Sequence, residues 1–180
     1  MLSHASFEGV DLSGRGRLER VGRPGVQAQS VPPFVSTVVN KLDAKGRVSV
    51  PAPFRQILAQ QNLHGLYCIP SFVSPALEAF GETLLAEFQQ RLRKFDPLFS
   101  EDYDAQAQAV LGQTQFLNFD DEGRVRLPDE LIAHAGITER VVFIGLDQKF
   151  QLWDPIRFEP IQKERLARAR AARTNNGGAP

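Results

Sequence analysis

The residues of this sequence best placed to do chemistry are two Asp and Arg pairs at one short spacing. Asp43-Ala44-Lys45-Gly46-Arg47-Val48-Ser49-Val50-Pro51 returns 77 positions later as Asp120-Asp121-Glu122-Gly123-Arg124-Val125-Arg126-Leu127-Pro128. Asp, Gly, Arg, Val and Pro are unchanged between the copies. Asp-x-x-Gly-Arg reads as a turn between two strands. Gly46 and Gly123 supply the left-handed conformation that a tight turn needs. Asp43 and Asp120 can accept backbone amides two residues on and close an Asx-turn. Arg47 and Arg124 then open the outgoing strands at a sheet rim. Two uses fit such an arginine: pairing with its own Asp to hold the turn, or presenting a planar fork of donors to guanine edges.

The surroundings separate the two copies. Lys41, Lys45, Arg47 and Arg55 gather around the first motif with only Asp43 opposing them. That pattern suits DNA, with Arg47 as the main contact, Lys45 beside it, and Lys41 and Arg55 in support. In the second copy Asp121 and Glu122 stand where Ala44 and Lys45 stood, and two acids repel phosphate. Arg124 therefore fits either a DNA contact or a structural role with Asp120, at the turn or between subunits. The whole chain has 21 basic and 21 acidic residues, so its net charge does not announce a nucleic-acid partner. The charge is uneven: residues 157–180 carry six basic groups against two acids, a net of +4.

These motifs need strands and helices to hold them. Runs at 34–39 and 115–119 precede the turns, and short helix patterns follow each Pro, with Phe54, Ile57 and Leu58 on one face of the first and Leu131, Ile132 and Ala135 in the second. Leu66 to Ile69 and Val141 to Ile144 read as buried strands. Ser74-Pro75 and Asp154-Pro155 each put a capping side chain before a Pro, predicting helix starts. The first such helix would carry Leu77, Phe80, Leu84, Phe88 and Leu92 on one face, with Gly81 inside it. An amphipathic segment from Glu101 to Gly112 leads into the second copy. One unit thus occurs twice, and its strands are too few to close a core alone, so the copies must pack on each other. The expected class is α+β with a mainly β core.

Other chemistry lacks an anchor. The chain has three histidines and one cysteine, with no metal-ligand spacing among them, so no metal and no cofactor is expected. Cys68 lies in an apolar run as a buried thiol. Gly14-Arg15-Gly16-Arg17 has neither the strand nor the lysine of a phosphate loop and reads as a basic arm. Asp102 and Asp104 suit a helix start, Arg165 to Arg173 suit a solvated helix end, and no nucleophile elbow points to an enzyme. With 42% hydrophobic residues, the chain has no apolar run of the roughly 20 residues that span a bilayer, and its first residues lack a secretory core.

The stretch from Asn40 to Arg55 resembles the first signature of the MraZ family, and the second Asp-x-x-Gly-Arg with Pro128 resembles that family's second signature. The resemblance covers about residues 34–160. It implies two tandem AbrB-like swapped-hairpin β-barrel repeats, packed about a pseudo-two-fold axis with flanking helices. It further implies a bacterial regulator that forms a ring and binds direct repeats of double-stranded DNA in the promoter of its own division and cell-wall gene cluster. The expected divisions are a flexible extension over 1–33, a first repeat with its helix over 34–98, a second with linker and helix over 99–173, and a tail over 174–180. A cytoplasmic, nucleoid-associated homo-oligomer without a membrane partner follows. An oligomeric scaffold without sequence-specific binding is the alternative.

Overall fold

Short strands leave each repeat unable to cover its own apolar residues, and the two copies solve this by exchanging them. The computed structural model describes residues 31–176. The first repeat comprises β1 (Thr37–Lys41), β2 (Arg47–Ser49), α1 (Ala52–Gln60), β3 (Gly65–Pro70), β4 (Leu77–Phe80) and α2 (Glu82–Leu92). After α3 (Glu101–Val110) and a short 3-10 turn, the second follows as β5 (Gln115–Asn118), β6 (Arg124–Arg126), α4 (Asp129–Ala135), β7 (Arg140–Leu146), β8 (Lys149–Trp153) and α5 (Pro155–Asn176).

Six strands form one antiparallel sheet in the order β1-β7-β8-β4-β3-β5. The first strand of each repeat therefore completes the hairpin of the other: β1 lies on β7, and β5 on β3. The remaining strands, β2 and β6, form a separate two-stranded ribbon, and Val48 of β2 also bridges to Leu42. Each continues from an edge strand of the large sheet through an Asp-x-x-Gly-Arg turn, so this ribbon closes the barrel. Val48 faces Val125, its own counterpart, which puts the pseudo-two-fold axis between them. The flanking bonds obey the same symmetry, Val50 N to Gly123 O at 3.1 Å and Leu127 N to Gly46 O at 2.8 Å. The axis leaves the large sheet between Glu78 and Gln151, which hold the same place in their hairpins and face each other in β4 and β8.

Between ribbon and sheet lies the core, built on Phe34, Phe54, Phe143 and Phe150, with ring centroids 4.8 Å apart for Phe54 and Phe150. Cys68 is fully buried among them, and burial pushes its thiol up to about 12. At the far end of the axis Glu78 is buried, with Oε1 hydrogen-bonded twice and Oε2 facing only the Lys149 charge. Its Oε1 accepts from Ser71 Oγ at 2.8 Å and Gln151 Nε2 at 2.7 Å, and Lys149 Nζ lies 3.0 Å from Oε2. Gln151 Oε1 in turn accepts from Trp153 Nε1 at 2.9 Å.

Most sequence-read elements form, with β1 starting at Thr37 and only Phe34 bridging to Asp147 before it. Ser100 caps α3, and Asp154 caps α5 by accepting from Ile156 N at 2.9 Å. Ser74-Pro75 is different, because no helix starts there. Leu77 and Phe80 belong to β4, and only Leu84, Phe88 and Leu92 lie on α2. Gly81 is the residue before α2, not an interruption of it, and lets Gln61 Oε1 accept from Thr83 N at 2.9 Å. A Cβ on Gly81 would overlap the Gln61 side chain. At the other end, α5 runs to Asn176, into the stretch read as a tail. Residues 1–30 and 177–180 lie outside the described residues, and with them most of the predicted extension and the basic arm.

Replacing Glu78 by Ala leaves Gln151, Ser71 and Lys149 without their acceptor. The expected cost is about 2 kcal/mol, measured by urea unfolding followed through Trp153, the one tryptophan of the chain.

Candidate nucleic-acid interface

Asp43 and Asp120 build the same turn twice. In the first, Asp43 Oδ1 accepts from Lys45 N at 2.8 Å and Arg47 N at 2.9 Å, while Arg47 Nε donates to Oδ2 at 2.7 Å. In the second, Asp120 Oδ1 accepts from Glu122 N at 3.0 Å and Arg124 N at 2.9 Å, and Arg124 Nε donates to Oδ2 at 2.8 Å. Gly46 and Gly123 sit at φ 72° and 73°, in the left-handed region. These bonds, led by the Arg backbone amide, hold both carboxyls below the ordinary value of 3.8. Hydrogen bonding to Asp120 raises Arg124 above its usual range against the opposing effect of burial. The charges of Asp120, Glu122 and Asp43 add to that rise, so the first turn's carboxylate lies within electrostatic reach of the second turn's arginine.

The ribbon turns Val48 and Val125 inward and so turns its other residues outward. Register places Arg47 opposite Arg126 and Ser49 opposite Arg124. Three arginines therefore share one face of two short strands. Like charges directly opposed across a ladder repel, and Arg126 has no ion-pair partner among the described residues. Sequence reasoning passed over Arg126. Its signal was the antiparallel pairing of the copies across their own equivalent valines, which sets position 126 against position 47.

The other expected residues divide. Lys45 is exposed at the tip of the first turn, and Lys41 is exposed at the end of β1, opposite Arg140 in register. Among the described residues the Arg47 side chain is bound through Nε to Asp43, with no ion pair at its terminal nitrogens. Arg124 is bound at both ends, since its Nη1 also meets Glu122 Oε2 at 2.6 Å. Arg55 does not join the first turn. Its guanidinium lies over Gly123 of the second turn, where a Cβ would overlap it, and its Nε is buried without a hydrogen-bond partner. The counterpart of Arg55 in α4 is Ile132, whose Cδ1 would lie 3.5 Å from a Cβ on Gly46. Each short helix thus supports the turn of the other repeat. His64 and His134 stand apart from this face, and among the described residues no cluster of His, Cys, Asp and Glu could hold a metal ion.

Paired repeats that exchange strands and close with a ribbon define the swapped-hairpin class. The protein-family profile described as "MraZ protein, putative antitoxin-like" matches residues 110–176. The chain is 46% identical over 140 residues to the transcriptional regulator MraZ of Xanthobacter autotrophicus, covering 78% of this chain and 88% of that one. Against the protein of the same name from Azorhizobium caulinodans it is 43% identical over 144 residues, 80% and 91% of the two chains. For that of Beijerinckia indica the identity is 42% over 147 residues, 82% and 89%. The chain belongs to the MraZ family.

Two predictions follow from the turns. Gly123→Ala costs about 1–2 kcal/mol for the left-handed conformation plus the displacement of Arg55. In an Arg55→Ala background that second part disappears, so a double-mutant cycle in urea shows coupling of about 0.5–1 kcal/mol. Gly46→Ala with Ile132→Ala shows little coupling, because the closest atom there is the Leu127 carbonyl oxygen, at 3.2 Å. For pH, a carboxyl depressed by folding stabilises the folded state above its unfolded value and loses that effect as pH falls through its folded value. The contribution of Asp43 and Asp120 is therefore complete above 3.8 and fades below it. The thermal midpoint of an Asp43→Asn/Asp120→Asn variant should fall less steeply below that pH than that of the parent chain.

Proposed function

We propose that this protein is a sequence-specific DNA-binding transcriptional regulator whose reading surface is the outward face of the β2–β6 ribbon. The observation that carries this is the grouping of Arg47, Arg126 and Arg124 on one face, with Lys45 at its corner. Neighbouring strands lie about 4.8 Å apart, so a two-stranded ribbon fits a major groove about 12 Å wide. Asp43 fixes Arg47 through Nε and aims its terminal nitrogens outward, an arrangement suited to the O6 and N7 of guanine. Lys45, Lys41 and Arg126 neutralise phosphates. Arg124, held by Asp120 and Glu122, contributes less.

One ribbon with so few cations binds weakly, near the ~10⁻⁴–10⁻⁶ M of non-specific contacts at physiological salt. Several copies in a ring engage successive direct repeats and multiply that affinity without new contacts. The relatives are named transcriptional regulators, which supports the same role; the target proposed for this chain is direct repeats in the promoter of its own division and cell-wall genes. Its place is then the cytoplasm, on the nucleoid. Among the described residues no helix is long and apolar enough to cross a membrane.

Fluorescence anisotropy against DNA from upstream of the gene, with a shuffled duplex beside it, tests this. Arg47→Ala should weaken binding to the specific duplex by about 1–3 kcal/mol and erase the preference for it. Arg126→Ala should weaken both duplexes alike and reduce the salt slope by about 1. Arg124→Ala should do less than Arg47→Ala. Equal, weak binding to both duplexes, unmoved by Arg47→Ala, would replace the regulator with a scaffold.

A further inference from the structure

The large sheet has two faces, and its strands send alternate side chains to each. Val141 and Phe143 of β7 and Leu152 of β8 point into the core beneath the ribbon, where they join Val48 and Val125. Val142 of β7 and Trp153 of β8 point the other way. There Phe158 of α5 covers them, and Ile144 and Ile161 pack against the same cluster. The ribbon and α5 therefore lie on opposite faces of one sheet.

Only the first turns of α5 pack on that sheet. Phe158 is 7% exposed, whereas every residue from Lys163 to Arg173 is exposed. Arg165 fixes the direction in which the helix leaves. Its Nη2 donates to Ser74 Oγ at 2.7 Å, and its guanidinium stands 5.5 Å from the Trp153 ring centroid. Beyond it come Arg168, Arg170 and Arg173, with alanines between them and no acid after Glu164. Lys163 answers Glu159 at 2.7 Å, but none of the three outer arginines has an ion-pair partner among the described residues. The helix dipole favours cations only within the last turn, and Arg168 and Arg170 lie more than one turn before Asn176. Arg165 and Arg168 share a side of the helix, as do Arg170 and Arg173, and like charges at that spacing weaken it. The stretch stays helical because alanine and arginine are strong helix formers. It is a straight rod of unneutralised positive charge.

We propose that the outer part of α5 is a second binding site for duplex DNA, one that holds the phosphodiester backbone without reading sequence. The class of partner follows from what the helix lacks. No aromatic residue follows Phe158, so unpaired bases have nothing to stack on. Leu166 is the one large apolar side chain beyond Ile161, too little to bury in a lipid surface. Arginines on two sides of the rod suit the two backbones that flank a groove. The inference rests on the reading of this chain as a DNA-binding protein and adds a surface turned away from the ribbon. A duplex seated on the ribbon leaves that chain's α5 free to take another, so one chain can hold two duplexes together.

Fluorescence anisotropy of the full chain with a short specific duplex and a shuffled one, across a salt series, separates the two surfaces. An Arg168→Ala/Arg170→Ala/Arg173→Ala variant keeps the helix, since alanine is its best former. It should bind the specific duplex within about twofold of the parent chain. Its affinity for the shuffled duplex should fall at least about tenfold, with a salt slope smaller by about 3. Lysine at all three positions should restore that binding, because phosphate neutralisation needs the charge and not the planar fork. Arg47→Ala should do the reverse, erasing the preference while sparing the binding that depends on α5. Unchanged binding of the shuffled duplex by the alanine variant would overturn the second site and leave the ribbon reading standing. Displacement by a single strand as readily as by a duplex would overturn duplex DNA as the occupant, and so would arginine-dependent capture by phosphatidylglycerol vesicles. A parent chain that binds both duplexes equally, and loses both with the three arginines, would instead overturn the ribbon reading and keep the site on α5.

Discussion

The pairing of Val48 with Val125 is the constraint from which the rest of the structure follows. Two strands of three residues each have no independent stability, and here they are held because both side chains are completely buried on the core. A slip of one residue would turn the valines outward and drive arginines into the core, so burial fixes the register. With the register fixed, Val50 must meet Gly123 and Leu127 must meet Gly46. The two turns are then locked side by side, and the strands leading into them are committed to opposite edges of the large sheet. Exchange of β1 and β5 is thus the consequence of pairing two equivalent strands, β2 and β6, about their centre.

On this symmetric frame the side chains that matter are asymmetric. Lys45 corresponds to Glu122, Ser49 to Arg126, and Arg55 to Ile132. The substitutions compensate locally. Where the second turn gains Glu122, its arginine acquires a second carboxylate, and the guanidinium of Arg55 covers the Gly123 backbone beneath. The first turn rests on an apolar Ile132 and keeps an exposed lysine. The first turn therefore keeps exposed charge at Lys45, whereas the second ties its arginine to two carboxylates of its own.

The repeat, both turns and most strands were legible because their signals are local: a glycine at a forced φ, an aspartate two and four residues before the amides that it accepts, a short apolar run. Two features were not. β4 carries Leu77 and Phe80, whose separation of three also fits a helix, and Ser74-Pro75 ahead of them imitates a helix start. In four residues that are all buried, no alternation exists to betray a strand. Arg55 and Arg126 were obscured differently, because their neighbours belong to the other repeat. Proximity along the chain assigned Arg55 to the first turn, while strand exchange carries it to the second. The family resemblance supplied the swapped-hairpin class, yet only explicit pairing showed which arginines share a face.

Zero net charge spares the chain long-range self-repulsion while three arginines still share the outward face of the ribbon. A strongly basic chain would repel further copies of itself, and the repulsion would grow with each subunit added. Charges beyond about 8–10 Å are screened at physiological salt, so a polyanion approaching the ribbon would respond to the nearest cations and not to the total. Arg47, Arg126 and Lys45 lie within one such neighbourhood, whereas Glu101, Asp102 and Asp104 belong to α3, outside the strands and turns of the ribbon. Separating the signs in space preserves a local positive face while the molecule as a whole stays neutral. The acids of α3 thereby help to balance the chain away from the ribbon, whereas Asp43, Asp120, Asp121 and Glu122 stand at the ribbon's own turns and confine its positive face to Arg47, Arg126 and Lys45.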